Sequence, residues 1–152
     1  MSGLRRAVAV GLVAAATVAG CGSSSDTETK ADRAYIDQVN GAVQRFAREA
    51  KALPSGFEAG TLHTYSATLE RTASDLRAID PPTSVATLHE QLAGDVSSYA
   101  DAIDAAASAP LSSDPDKVVA AQQALLKATA TANRDVNRTL REIGRKLDAA
   151  QG

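Results

Sequence analysis

Tryptophan is absent from this 152-residue chain, cysteine and methionine occur once each, and aromatic residues make up only 3%. A hydrophobic share of 44% must therefore build an aliphatic, alanine-rich core. One cysteine excludes an intrachain disulfide. Strand-forming residues never alternate at period two over a useful length, which argues against sheet. No G-x-x-x-x-G-K-[ST] or G-x-G-x-x-G phosphate cradle and no G-x-S-x-G elbow occurs. The formal charge of −2 lacks the basic surplus of a nucleic-acid binder. The longest apolar stretch, residues 7–19, would span about 20 Å as a helix, short of the roughly 30 Å hydrocarbon core of a bilayer.

What is present begins with an address. Arg5 and Arg6 precede the uncharged stretch 7–19, and small residues follow before the polar run Ser23-Ser24-Ser25-Asp26. A charged start, a short apolar segment and a small-residue cut site describe a secretory signal peptide over residues 1–20. Its removal takes away Arg5 and Arg6 and no acid, so the formal charge moves from −2 to −4.

The tetrapeptide Val18-Ala19-Gly20-Cys21 resembles the bacterial lipobox: an aliphatic residue, two small residues and a cysteine. The resemblance implies that the Cys21 sulfur carries a diacylglyceryl group and that a dedicated peptidase recognises Val18, Ala19 and Gly20 and cuts before Cys21. It also accounts for a lone thiol in an oxidising compartment. Leu4-Arg5-Arg6 matches a twin-arginine signal only in its pair, so general export is the expected route. Residues 21–30 are rich in Gly, Ser, Thr and acids and read as a flexible tether.

Residues 31–152 read as an all-α domain. Apolar residues recur at spacings of three and four over four segments, 31–53, 57–79, 83–109 and 114–150. Pro54-Ser55-Gly56, Asp80-Pro81-Pro82 and Pro110 interrupt them. Asp114 suits an N-cap and Pro115 the first helical position. Short connections make neighbouring helices antiparallel, which predicts an up-down-up-down four-helix bundle. Counting from the turns places Phe46, Tyr65, Tyr99 and Leu125 at one height. The segment from Leu76 to Pro82, followed by Leu88-His89, is similar to a turn in small helical lipoproteins of high-GC Gram-positive bacteria. That resemblance implies an extracytoplasmic location and no known activity.

The chemistry-bearing residues are scattered. His63 and His89 fall about 15 Å apart along the bundle, too far to share one metal, and neither belongs to a Glu-x-x-His pair. Both read as solvated or interfacial, so no metal and no cofactor is expected. Asp101 and Asp104, one turn apart, read as a solvated acidic face. Tyr65 and Tyr99 are expected to pack in the core with their hydroxyls reaching the surface, or to line a small apolar pocket.

One surface pattern stands out. Lys127, Arg134, Arg138, Arg141 and Arg145 project within about 60° of one another, opposite the apolar stripe of the last helix. These residues are candidates for contact with anionic headgroups or an acidic envelope protein. The sequence thus points to a non-enzymatic interaction module, lipid-anchored to the cell membrane through Cys21. A small-molecule-binding bundle with an apolar core pocket is the alternative. Oligomeric state is not readable from the pattern.

Overall fold

The computed structural model describes residues 30–54, 57–109 and 113–150. It is an all-α four-helix bundle: α1 (Lys30–Ala52), α2 (Ala59–Arg77), α3 (Ala86–Ala107) and α4 (Pro115–Ala150), with no strand among the described residues. The expected helix from 83 divides in two. Thr83–Val85 forms a 3-10 turn and the α-helical run begins at Ala86. The signal segment, Val18-Ala19-Gly20-Cys21 and the tether up to residue 29 lie outside the described residues.

The helix ends follow local chemistry. At the start of α4, Asp114 Oδ1 accepts the Asp116 N–H at 3.0 Å, and Pro115 fills the first helical position, where its missing N–H is not needed. At the end of α2, the Ala78 N–H bonds to Ser74 O at 3.1 Å and the Ile79 N–H tightens onto Leu76 O at 2.9 Å. Pro81 and Pro82 then supply no N–H to continue the ladder.

Two apolar clusters show how the helices run. One gathers Tyr35 and Val39 from the start of α1, Leu76 from the end of α2, Leu92 from the start of α3, and Leu140, Ile143 and Leu147 from the last turns of α4. The other gathers Phe46, Leu62, Tyr65, Tyr99, Ile103 and Leu125 from the opposite ends of the same helices. Val96 packs against both. Successive helices are therefore antiparallel, and Phe46, Tyr65, Tyr99 and Leu125 share one cluster. Both clusters are drawn from residues 35–147.

Small residues set the tightest seam. Ala93, Ala100 and Ala107 on α3 are fully buried at intervals of seven, and Ser66 and Ala73 on α2 are buried at the same interval. Without large side chains between them the two backbones come close, and the Ser66 hydroxyl donates to the Ala100 carbonyl at 3.0 Å. By contrast α4, with 36 residues, runs about 54 Å, and its first buried side chain is Leu125. Val119 and Leu126 stand half-exposed on it.

Candidate functional site

The most constrained polar group in the bundle is His89, which is fully buried. Of the expectation that it is solvated or interfacial, the first half fails: it lies between helices, out of reach of solvent. The reason lies at the end of α2, where the final carbonyls have no partner within the helix. His89 Nε2 lies 2.8 Å from Leu76 O. A carbonyl only accepts, so Nε2 donates, and in the singly protonated ring Nδ1 accepts from the Tyr35 hydroxyl at 3.1 Å. The rings of Tyr35 and His89 meet edge to face at 5.6 Å. One imidazole thus joins α1, the end of α2 and α3 with both nitrogens used. Burial pushes the Tyr35 phenol up to about 12.

His63 sits far from this node. It is exposed on α2, and its Nδ1 donates to Asp104 Oδ1 on α3 at 2.8 Å. Asp101 is exposed as well. An exposed contact of this kind contributes about 0–1 kcal/mol and does not build a site. No group of three or more metal-ligating side chains converges among the described residues.

The three aromatic rings at the other end form a ladder. Phe46 meets Tyr65 edge to face at 5.9 Å, and Tyr65 meets Tyr99 at 6.4 Å. The two phenols differ in outcome. Tyr99 Oη pairs with Thr129 Oγ1 at 2.9 Å, and Thr129 donates onward to Leu125 O at 2.8 Å, so Tyr99 donates to Thr129. The Tyr65 hydroxyl is buried and makes no hydrogen bond. It does not reach the surface as expected: Tyr65 packs edge to face with both Phe46 and Tyr99 in the core. Burial raises its pKa, and the neighbouring Tyr99 phenol raises it further.

Beside Tyr99 the packing opens. An open groove of about 350 Å³ runs between α3 and α4, with Tyr99, Ala102, Ala124, Ala128 and Ala132 along it. Asp95 and Asp135 mark one end and Lys127 lies toward the other. Asp95 accepts from the fully buried Thr139 hydroxyl at 3.2 Å. Burial raises the Asp95 carboxyl, the Thr139 bond offsets part of this, the Asp135 charge raises it further and Arg138 lowers it. The space near the tyrosines is thus a surface groove and not an enclosed core pocket. Small residues, Ser98, Ala102, Ala124, Ala128, Thr131 and Ala132, line most of it, and they carry no distinctive sequence signal.

The five basic residues of α4 are all exposed. Arg134 and Arg138 share one carboxylate, Asp135, at 3.2 and 3.3 Å. Arg145 lies 3.9 Å from Glu142. Lys127 and Arg141 have no carboxylate partner among the described residues. No helix among those residues is long and apolar enough to cross a membrane.

The fold and its surface define a four-helix bundle with a buried histidine brace, an apolar groove and a basic outer helix face. Comparison with protein families, with curated proteins and with solved structures yields no match.

Proposed function

We propose that the chain is a lipid-anchored protein of the bacterial cell envelope whose helical bundle serves as a non-enzymatic interaction module outside the cytoplasm. The observation that carries this reading is Val18-Ala19-Gly20-Cys21, placed after a charged start and a short apolar stretch. Two acyl chains on one cysteine hold a protein at a membrane where one alone binds reversibly. The bundle suits such a place. The nine steps from Cys21 to Lys30 span at most about 30 Å, so the folded part stays close to its anchor. The start of α1 shares a core cluster with the end of α4, so Arg141 and Arg145 lie at the end of the bundle where α1 begins.

A second reading is favoured by the groove between α3 and α4. Its volume of about 350 Å³ falls at the small end of small-molecule sites, about 300–1,000 Å³. On this reading the bundle binds an elongated, largely apolar molecule beside Tyr99. Native mass spectrometry of protein purified from its source membrane would show a bound small molecule.

The anchor is tested by expressing the full chain in a lipoprotein-processing bacterium and measuring intact mass in membrane and soluble fractions. Wild type is expected in the membrane, beginning at Cys21 with added acyl mass, and the Cys21→Ser variant without that mass. An unmodified sulfhydryl, or an intact Met1 on the exported product, overturns the proposal.

A further inference from the structure

A row of five exposed basic residues and the large exposed hydrophobics among the described residues lie on one helix, α4. Lys127, Arg134, Arg138, Arg141 and Arg145 form a row about 27 Å long on α4, on the side away from the core. Two guanidiniums share the single carboxylate of Asp135, and Lys127 and Arg141 have no carboxylate partner among the described residues, so the row keeps a positive surplus. The large exposed hydrophobics of the described residues, Val119 and Leu126, lie on the same helix, about a quarter-turn round from the row. A helix with basic residues on its outer face and a flanking apolar side chain has the pattern that settles into the headgroup layer of a bilayer.

We infer that the outer face of α4 is a membrane-contact surface for anionic phospholipid, and that the bundle lies on its side with α4 along the bilayer. This deepens the envelope reading, on which it rests for location. Two further observations select a lipid surface as the occupant. The chain before α1 is too short to lift the domain more than about 30 Å from a lipid on Cys21. The chain from residue 21 onward carries a formal −4, so an anionic bilayer opposes contact in general and favours approaches that lead with a basic face such as this row. At a Debye length of about 8 Å only charges held against the surface count, and a helix lying flat brings the whole row within that distance.

The test uses residues 21–152 with Cys21→Ser, which keep every described element, and sedimentation with vesicles. Protein is expected to bind vesicles containing phosphatidylglycerol and to leave vesicles of phosphatidylcholine alone. Binding should fade in about 1 M salt, where the Debye length is about 3 Å. Combined Arg134→Gln, Arg138→Gln and Arg141→Gln should weaken it at least about tenfold with the circular dichroism spectrum unchanged. Leu126→Gln, which leaves the charge intact, should weaken it about two- to fivefold. Equal binding of wild type and the triple variant, equal binding to both vesicle types, or equally tight retention on polyglutamate overturns the inference. Intact mass reports the anchor separately: an unmodified Cys21 with selective vesicle binding would remove the lipid anchor and leave this surface standing.

Discussion

The Tyr35 hydroxyl and Nδ1 of His89 lie 3.1 Å apart across 54 residues of chain, and the other face of the same imidazole caps the Leu76 carbonyl at 2.8 Å. A buried bond of this kind matters most when half of it is removed. Tyr35→Phe leaves Nδ1 buried without a donor and should cost about 1–3 kcal/mol. His89→Ala removes both bonds, leaves the Leu76 carbonyl with the Ile79 N–H alone, strips the buried Tyr35 hydroxyl of its acceptor and opens a cavity at a fully buried position, so about 3–5 kcal/mol is expected. Urea denaturation with an unchanged m-value measures both. A Tyr35→Phe variant with the wild-type midpoint would show that the bond does not brace the fold.

Two neighbouring tyrosines should respond to the same substitution with different signs. Tyr65→Phe removes a buried hydroxyl that has no partner, so stability should stay level or rise by about 1 kcal/mol. Tyr99→Phe removes the bond to Thr129 and should cost about 0.5–1.5 kcal/mol. A clear loss in Tyr65→Phe would mean that the hydroxyl is satisfied in solution.

Alkaline pH should unfold the bundle cooperatively. All three tyrosines of the chain have folded-state pKa values raised by burial, Tyr35 to about 12. Above the unfolded value of 10.0 the unfolded chain loses phenolic protons that the folded chain keeps. The stabilisation is therefore complete below about pH 10 and is lost as pH rises toward 12. Phenolate absorbance and circular dichroism should change together in that window. Phenolate appearing near pH 10 with the helix signal intact would contradict the burial of these rings.

Asp95 should be a position where charge costs stability. Its carboxyl is raised above 3.8, chiefly by burial, so ionisation at neutral pH opposes folding. Asp95→Asn keeps an acceptor for the Thr139 hydroxyl and removes the charge. The variant should be more stable than wild type at pH 7, with the difference shrinking as pH falls below about 4, where the wild-type carboxyl is protonated in both states. Chemical denaturation at the two pH values tests this, and a less stable variant at pH 7 would show that Asp95 gains more from Arg138 than it loses to burial.

The four helices are legible because large apolar residues repeat at helical spacing and prolines interrupt them sharply. Phe46, Tyr65, Tyr99 and Leu125 fall into one cluster because antiparallel helices of known rise can be counted from their turns. The alanine seam of Ala93, Ala100 and Ala107 is harder to read. Alanine sits equally well on a buried or an exposed helix face, so its position marks a close approach only once the partner helix is in place.

The histidines show the same limit. His63 and His89 have similar local surroundings in sequence, yet one is exposed and the other fully buried. The difference is the Leu76 carbonyl, which accepts from His89 as well as from the Ile79 N–H, and the Tyr35 hydroxyl, which reach His89 from two other helices.

Helix content, helix order and the breaks between helices follow from local patterning, since propensity, capping and periodicity act over a few residues. The proposed membrane address rests on local patterning too, over residues 1–21. The brace at His89, the bare hydroxyl of Tyr65, the groove beside Tyr99 and the sharing of Asp135 by two arginines depend on groups brought together from different helices. Whether a polar group is satisfied, screened or left to attract a surface is set by neighbours in space, and those neighbours exist only after the helices have packed.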